Sequence, residues 1–340
     1  MAGKGTVLVT GGSGYIGGWC VIGLLKEGYA VRTTVRDLAK EPAVRAALGK
    51  AADTTNLSFH AADLMSDAGW DAATEGCDYV LHVASPLGVT DPKDPDVLIR
   101  PAREGARRAV SAAIKAGVKR VVQTSSVAAT SPIEGASDFL ADETVWTDPN
   151  AQGVSVYAQS KTLAERAAWE LIGEAGGRTT LATVNPTLVL GPVLSGDFSD
   201  SVQVVERLLT GRMPGMPRMG FNVVDVRDVA DLHIRAMTAP EAAGQRLIAA
   251  SGFAWMAEMA DMLKAELGPA AAKVPTRKVP DLMVRLASLF DTDLRFVVPR
   301  LGRRYDFTSK KAQELLGWRP RPVRETVMDC ARSLIEAGAV

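Results

Sequence analysis

Two side chains four residues apart could carry proton-transfer chemistry. Tyr157 and Lys161 stand in Tyr157-Ala-Gln-Ser-Lys161, within a helix predicted over residues 154–174. Residues i and i+4 share one face of a helix, about one turn apart. An ammonium group beside a phenol stabilises the phenolate and lowers a pKa that is about 10 in model peptides. Such a tyrosine can give a proton to a carbonyl oxygen or accept one from an alcohol near neutral pH.

A serine pair could hold the same oxygen. Ser125 and Ser126 directly follow Thr124, at the end of a strand predicted over residues 119–124. Ligands bind at the carboxyl ends of parallel strands, where a hydroxyl can donate a hydrogen bond to a carbonyl oxygen. A Tyr-x-x-x-Lys pair alone arises easily by chance. Its place after a nucleotide-binding pattern and a strand-end serine predicts three catalytic residues: Ser126, Tyr157 and Lys161.

That nucleotide-binding pattern is a glycine-rich turn near residue 11. A β-branched run over residues 6–10 leads into G-x-x-G-x-x-G and then an apolar, helix-like segment. Glycines let the backbone approach a pyrophosphate, which the free N–H groups of the helix start can bind. A bare strand-to-helix turn is the simpler alternative. We predict dinucleotide binding, with contacts from Gly11, Ser13, Gly14, Tyr15, Ile16 and Gly17.

The end of the second predicted strand, over residues 29–35, indicates which dinucleotide is bound. An acidic residue there would select a free ribose 2′-hydroxyl, but Val35 stands in its place. Arg36 follows, with Lys40 nearby, and a guanidinium suits the 2′-phosphate of NADP. We therefore predict NADPH/NADP⁺ as the cofactor. The alternative is a solvated Arg36 beside Asp37, which could itself serve a ribose.

Other strand ends supply further candidate contacts. Asp63 and Leu64 follow the strand predicted over residues 57–61, where such folds place the adenine, although an Asp there is also typical of a turn. The strand predicted over residues 79–83 runs into small residues that would let the chain pass under a cofactor. Together with Asp63 and Leu64, four further residues at strand ends are predicted to contact the cofactor: Val83, Ala84, Ser85 and Thr124.

The order of the elements predicts an α/β fold. Strand and helix alternate four times in succession, which is typical of a doubly wound parallel sheet of the Rossmann type. A smaller, mostly helical substrate lobe is expected to be interleaved with it in one folding unit. The predicted strands at 221–224 and 245–249 are expected to return to the large domain. The predicted boundaries are 1–192 and 221–250 for the NADP-binding domain, and 193–220 and 251–340 for the lobe.

Composition excludes several classes of function. The 340 residues carry 39 basic and 39 acidic side chains, so no net field favours nucleic acid or an anionic membrane. The three cysteines and three histidines are scattered without metal-ligand spacing, and no apolar run approaches a membrane span. We predict no metal, a cytoplasmic protein with free thiols, a small-molecule carbonyl substrate, and a monomer or homodimer.

The motifs together resemble those of the extended short-chain dehydrogenases/reductases. Within them, the sequence is most similar to the branch of dihydroflavonol, cinnamoyl-CoA and aldehyde reductases, specifically through about residue 250. The matching segments are Val9-Thr-Gly-Gly-Ser-Gly-Tyr-Ile-Gly17, Val31-Arg-Thr-Thr-Val-Arg-Asp37, Val80-Leu-His-Val-Ala-Ser-Pro86, Val122-Gln-Thr-Ser-Ser126, Tyr157-Ala-Gln-Ser-Lys161, Asn185-Pro-Thr-Leu-Val-Leu-Gly-Pro192 and Val224-Asp-Val-Arg-Asp-Val-Ala-Asp-Leu-His233.

The resemblance implies specific roles. It favours Ser126 over Ser125 as the catalytic serine, and it implies that Lys161 also binds the nicotinamide ribose. It places Pro186 and Leu188 beside the nicotinamide and supports NADPH through Arg36. The implied reaction is reversible, NADPH-dependent reduction of an aldehyde or ketone to the alcohol.

Departures from the plant members limit what the resemblance implies about the substrate. Ser131 stands where the dihydroflavonol reductases have a flavonoid-binding Asn, and Asn222 stands where they have a Gln. With Pro86, these are the candidate substrate residues, and bacterial-type aldehyde or ketone reductases are the nearest match. Two alternatives share the fold: a sugar-nucleotide epimerase or dehydratase with tightly bound NAD, and a non-catalytic dinucleotide sensor.

Overall fold

The computed structural model describes residues 4–86, 92, 94–132, 138–194, 199–213, 215–290 and 297–340. Buried, β-branched runs form the strands, as expected where helices cover both faces of a parallel sheet. The strands are β1 (Thr6–Thr10), β2 (Ala30–Val35), β3 (Leu57–Ala61), β4 (Tyr79–His82), β5 (Arg120–Thr124), β6 (Phe139–Ala141), β7 (Thr180–Pro186), β8 (Leu188–Leu190), β9 (Gly220–Asp225), β10 (Arg246–Ala249), β11 (Gly252–Trp255) and β12 (Tyr305–Phe307).

Helices alternate with the first strands and then dominate the second half of the chain. The long helices α4 and α5 begin at residues 96 and 156. The α-helices are α1 (Tyr15–Lys26), α2 (Glu41–Gly49), α3 (Trp70–Thr74), α4 (Asp96–Ala116), α5 (Val156–Glu174), α6 (Gln203–Thr210), α7 (Val226–Thr238), α8 (Met256–Leu267), α9 (Asp281–Ala287), α10 (Lys310–Leu316) and α11 (Val323–Glu336).

Seven parallel strands form the central sheet in the order β10-β7-β5-β4-β1-β2-β3. The strand order reverses between β1 and β4, and ligands of such sheets bind in the crevice at that point. The loops after β1 and β4 therefore flank the predicted cofactor site. This arrangement confirms the predicted doubly wound α/β fold.

Alternating strand residues pack against helices on the two faces of this sheet. Val7 and Val9 join the core formed with α1 and α7, whereas Leu8 joins the core formed with α4 and α5. All three side chains are completely buried. Successive side chains of a strand point to opposite faces of the sheet, so the five-residue strand β1 packs against the helices on both faces.

A second, smaller sheet lies outside the central one. Strand β9 pairs in parallel with β8 and antiparallel with β11. The segment 221–224, which was expected to return to the large domain, thus pairs outside the seven-stranded sheet, whereas 245–249 does enter it as β10. Both segments are short apolar runs, so pattern alone does not distinguish their sheets. The domain boundaries themselves stay a prediction.

The smaller sheet has its own hydrophobic core. Side chains from α6, α8 and α11 pack with those of β8 and β9, including Leu208, Met259 and Val327, each of which is fully buried. A short parallel pair, β6 with β12, ties residues 305–307 back to the segment after β5. The C-terminal part of the chain is thereby joined to the segment that leaves the carboxyl end of β5, beside the predicted site.

Candidate functional site

The glycine loop is held by two threonines of β2. The N–H of Gly11 donates to Thr34 Oγ1 at 3.1 Å, and the N–H of Gly12 donates to Thr33 Oγ1 at 3.0 Å. Thr33 Oγ1 in turn donates to the carbonyl of Val9 at 2.8 Å. The turn is therefore fixed from the neighbouring strand and does not depend on a ligand for its shape.

Close backbone approach explains the glycines. A Cβ on Gly17 would clash with the carbonyl oxygen of Gly11, and a Cβ on Gly12 would clash with Thr33 Oγ1. Helix α1 begins at Tyr15, and within the described residues no backbone acceptor is recorded for the N–H groups of Ser13, Tyr15 or Ile16. Free N–H groups at a helix start, in a cradle that no side chain fills, fit the pyrophosphate of a dinucleotide.

Not every predicted contact in this loop has a free side chain. The Tyr15 hydroxyl donates to the carbonyl of Gly191 at 2.7 Å, and burial raises the pKa of this phenol well above its usual value. The Tyr15 side chain therefore joins α1 to the segment after β8. The Tyr15 hydroxyl is therefore already used within the protein.

At the end of β2, a buried residue is followed by exposed basic side chains. Val35 is buried, and the side chains of Arg36 and Lys40 are exposed. Asp37 accepts a hydrogen bond from the N–H of Ala39 at 2.9 Å and so caps a short 3-10 turn. Arg36 has no hydrogen bond or ion pair with any residue in the described ranges, so its guanidinium is available to a ligand. Asp37 has a structural task that does not require a ribose.

Asp63 and Leu64 stand after β3 in a structured turn. The carboxylate of Asp63 accepts from the N–H of Met65 at 2.7 Å. The Leu64 side chain packs against Gly105 of α4, where an added Cβ would come within 2.5 Å of Leu64 Cδ2. Both contacts are those of an ordinary structured turn.

Thr10 joins the loops that flank the crevice. Its Oγ1 accepts from the N–H groups of Val83 at 3.0 Å and Ala84 at 2.9 Å, and it lies 2.9 Å from His82 Nδ1. With both lone pairs used, the hydroxyl proton has to go to His82, which places the imidazole proton on Nε2. Burial, helped by the charge of Lys161, lowers the pKa of His82 to about 4.

Ser126, Tyr157 and Lys161 are brought to the carboxyl end of β5. Ser126 begins a 3-10 turn over Val127–Ala129, which packs against α5. The Lys161 ammonium lies 5.7 Å from the centre of the Tyr157 ring and donates to Ser85 Oγ at 2.9 Å. Lys161 thus links the tyrosine to the segment that follows β4. The side chains of Ser126 and Lys161 are buried, and Tyr157 is partly exposed.

Three other predicted cofactor residues lie around this group. Thr124 Oγ1 lies 2.7 Å from His233 Nε2, while His233 Nδ1 donates to the carbonyl of Val229. The Thr124 hydroxyl therefore faces α7 and is not free for a cofactor. Pro186 ends β7 and is buried, and Leu188 begins β8 and is partly exposed.

The candidate substrate residues are less clearly assembled. Ser131 Oγ donates to the carbonyl of Val127 at 2.7 Å, and Asn222 Nδ2 donates to the carbonyl of Tyr305. Asn222 also lines a cavity of about 720 Å³, which has none of the three catalytic candidates in its wall. Pro86 is partly exposed directly after Ser85. Pro86 therefore lies near Lys161, through its neighbour Ser85. The side chains of Ser131 and Asn222 both donate hydrogen bonds to backbone carbonyls of the protein itself.

Sequence reasoning missed the threonines that support the loops. Local sequence assigns Thr10, Thr33 and Thr34 no role beyond their strands, and Gly12 is not among the predicted contacts. The signal was present in the paired threonines of β2, because threonine hydroxyls inside a buried strand need partners. Only the pairing of β1 with β2 shows that those partners are the glycine loop.

Comparison with known proteins identifies the family of this chain. The model of the NAD dependent epimerase/dehydratase family matches residues 7–249. Cinnamoyl-CoA reductase 2 of Arabidopsis thaliana is 34% identical over 98% of this chain and 93% of its own length. The chain belongs to this family, the extended short-chain dehydrogenases/reductases. Dihydroflavonol 4-reductase of Zea mays is 38% identical over 71% of this chain and 69% of its own length.

Solved structures of reductases share the whole fold. The yeast methylglyoxal/isovaleraldehyde reductase Gre2, solved with NADPH, superposes with a TM-score of 0.80 at 28% identity, over 98% of this chain and 100% of that one. The Gre2 of Candida albicans, also solved with NADPH, gives 0.81 at 26% identity, over 98% and 99%. These relatives are reductases, which confirms the predicted family branch and the prediction of an oxidoreductase.

Two general features of the described ranges complete the picture. No helix there is long and apolar enough to cross a membrane. No three His, Cys, Asp or Glu side chains in the same ranges are grouped as metal ligands would be. The cytoplasmic location and the monomeric or homodimeric state stay predictions.

Proposed function

We propose that this protein reduces an aldehyde or ketone to the alcohol with NADPH, reversibly. The observation that carries the proposal is Lys161 between Ser85 at 2.9 Å and the Tyr157 ring, beside the turn that Ser126 begins. Reductase relatives and NADPH-bound neighbours support the same activity.

The proposed cofactor fits the residues present. The first-turn N–H groups of α1 would receive the pyrophosphate, and the exposed guanidinium of Arg36 would receive the 2′-phosphate. Lys161 and Ser85, already hydrogen-bonded to each other, would hold the nicotinamide ribose. Pro186 and Leu188 would supply apolar contact near the ring. When bound, the reduced nicotinamide supplies the hydride that adds to the carbonyl carbon.

Residues of the protein then stabilise the negative charge that develops on the carbonyl oxygen of the substrate. As the carbonyl π pair moves to oxygen, Ser126 and Tyr157 donate hydrogen bonds to it, and Tyr157 gives up its proton. The Lys161 ammonium stabilises the remaining phenolate until solvent restores the proton. The balance is one carbonyl, one NADPH and one proton converted into one alcohol and one NADP⁺.

We propose that the substrate is a small or medium, mostly apolar carbonyl compound. A nucleotide sugar needs free cations for its diphosphate, but Arg212 pairs with Glu206 at 3.0 Å and Arg218 pairs with Asp281 at 2.7 Å. Arg212 and Arg218, the basic residues that flank or lie within the segment 213–222, therefore each already have a carboxylate partner. Pro86, Ser131 and Asn222 stay candidate substrate contacts.

The proposal also assigns tasks to the two parts of the chain. Residues 1–192 and 221–250 would bind the cofactor, and residues 193–220 and 251–340 would cover the substrate. The separate core that α6, α8 and α11 build with β8 and β9 supports a distinct lobe.

A turnover screen tests the activity directly. The purified protein is incubated with NADPH and aromatic aldehydes, aliphatic aldehydes, ketones and α-dicarbonyls, and NADPH consumption is followed. We expect at least one carbonyl class to be reduced by the wild type and not by Tyr157→Phe. Turnover of UDP- or GDP-sugars without reduction of any simple carbonyl compound would overturn the proposal.

A further inference from the structure

A fully buried carboxylate lies one helical turn beyond Lys161. Glu165 is 0% exposed, and its Oε1 accepts from Arg246 Nε at 2.7 Å. Its Oε2 accepts from Ser125 Oγ at 2.6 Å and from Asn185 Nδ2 at 2.9 Å. A buried carboxylate is costly unless a countercharge and hydrogen bonds satisfy it, and here both are present.

The partners of Glu165 come from three different strands of the central sheet. Ser125 directly follows β5, Asn185 lies in β7 and Arg246 lies in β10. Helix α5, which carries Glu165, also carries Tyr157 and Lys161. The carboxylate therefore ties the helix of the proposed proton donor to the carboxyl edge of the sheet.

Asn185 carries this connection to Ser126 itself. Its Nδ2 donates to the carbonyl oxygen of Ser126 at 3.2 Å as well as to Glu165 Oε2. Both neighbours of this atom are acceptors, so the amide orientation follows from the network. One NH₂ group thus bridges the backbone of the proposed catalytic serine and the helix of the proposed catalytic tyrosine.

Arg246 holds the next part of the same turn. Its Nη2 donates to the carbonyl of Ala129 at 3.0 Å, and its Nη1 donates to the carbonyls of Glu143 and Val145 at 2.9 and 2.7 Å. The Ser126 hydroxyl oxygen accepts from the N–H of Ala128 at 3.1 Å, inside the turn that Arg246 fixes. A shift of this turn would move the hydroxyl.

We propose that Glu165, Asn185 and Arg246 are positioning residues that set the Ser126 hydroxyl relative to Tyr157 and Lys161. The inference rests on the proposed function, since it concerns how that site is aligned. A misplacement of about 1 Å can cost roughly a hundred-fold in rate, so such a network has a direct effect on turnover. A purely structural ion pair would affect stability alone.

Two variants in β7 separate positioning from stability. Asn185→Leu keeps the volume but removes the donor to Ser126. Thr183→Val is the matched control, because Thr183 is also 0% exposed and its Oγ1 lies 2.9 Å from Glu165 Oε1 and 3.0 Å from Asn185 Oδ1. The variant leaves the Asn185 donor to Ser126 in place, and no hydrogen bond joins the Thr183 side chain to the turn after Ser126 within the described residues. Both variants lose a buried polar contact near the same carboxylate.

Steady-state kinetics on the full chain give the first comparison. We expect Asn185→Leu to lower kcat by about ten- to a hundred-fold, with the KM for NADPH within about twofold. Thr183→Val should keep kcat within about threefold of the wild-type value, even if its Tm falls as far as the Tm of Asn185→Leu. Asn185→Ala, measured in the same way, serves if the leucine variant does not fold.

Amide hydrogen exchange gives a second comparison that needs no turnover. In the protein without substrate, we expect the N–H groups of Ala128 and Ala129 to exchange at least about tenfold faster in Asn185→Leu than in the wild type. Thr183→Val should leave both rates unchanged. This result is independent of whether the wild type reduces any carbonyl, so the two proposals can fail separately.

The positioning role would be overturned if Asn185→Leu and Thr183→Val lost kcat to the same extent whenever they lost Tm to the same extent. So would unchanged exchange at Ala128 and Ala129 in an Asn185 variant that folds.

Discussion

Arg36 is proposed to bind the 2′-phosphate of NADPH. Its guanidinium is exposed and has no partner in the described ranges, whereas most arginines near it in the chain are paired: Arg32 donates to the carbonyl of Glu75, and Arg45 pairs with Glu41. An exposed cation beside the end of β2 is what a 2′-phosphate needs. The sequence alone located this position, because it depends on chain order and not on tertiary contacts.

Arg36→Ala tests the cofactor choice. We expect the wild type to prefer NADPH to NADH by about ten- to a hundred-fold in kcat/KM, and the variant to lose most of that preference. Lys50→Ala, which removes an exposed cation at the end of α2, should leave the ratio unchanged. Equal kcat/KM values for the two cofactors in the wild type would contradict this assignment.

At the scale of elements, the β1–α1 turn is shaped by its neighbours. Thr33 and Thr34 of β2 hold its N–H groups, and Thr10 ties it to the segment after β4. The glycine spacing predicted the turn and the start of α1. It could not predict these side-chain supports, since they depend on which strands are adjacent.

Gly17→Ala should damage this turn. The added methyl would meet the carbonyl oxygen of Gly11, so the turn has to shift away from the start of α1. We expect NADPH affinity, measured by fluorescence titration, to fall by at least about tenfold, which corresponds to ~1.4 kcal/mol.

Gly173→Ala is the matched control for that variant. Gly173 also lies in a helix, and an added Cβ there meets nothing within 4 Å. Its NADPH affinity should equal that of the wild type. A Gly17→Ala protein with unchanged affinity would show that the turn does not bind the cofactor as proposed.

The elements themselves were largely predictable from periodicity. The strand at 57–61 has the predicted bounds, and α5 begins two residues later than expected. The network around Glu165 was not predictable. Its partner Arg246 is 81 residues away, and nothing in the local sequence of either residue indicates the other.

At the scale of the whole molecule, burial of ionisable groups links stability to pH. Burial lowers the pKa of both His82 and His233 to about 4, against 6.5 for a free imidazole. Between pH 4 and pH 6.5, the unfolded chain therefore binds more protons than the folded protein does. The contribution of the two histidines to stability is complete above about pH 6.5 and falls progressively as the pH drops toward 4. Asp228 works in the opposite direction, because burial raises the pKa of its carboxyl to about 6.

His233→Gln isolates one of these contributions. We expect the free energy of unfolding of the wild type, relative to this variant, to decrease between pH 7 and pH 5 by on the order of 2 kcal/mol. Urea unfolding at the two pH values measures it, and the difference between proteins cancels the contribution of Asp228. The same pH dependence in both proteins would show that His233 is not buried in its neutral form.

The whole-molecule arrangement also explains why local sequence patterns predict the proposed catalytic residues but not the residues of a substrate pocket. Ser126 follows a strand and Tyr157 and Lys161 share a helix, so local spacing predicts their positions. Ser131 and Asn222 were chosen by resemblance, and their polar groups bond to the protein's own backbone. A substrate pocket depends on how separate segments meet, which local patterns do not reveal.

The central claim is that Tyr157 supplies the proton for carbonyl reduction. The most direct measurement is NADPH affinity together with kcat in Tyr157→Phe, shown to be folded by its Tm. We predict nearly normal NADPH binding and a loss of kcat of about a hundred-fold or more, the scale of general acid catalysis. Lys161→Met should instead lose both affinity and turnover. A folded Tyr157→Phe protein that keeps near wild-type turnover would contradict the proposed mechanism.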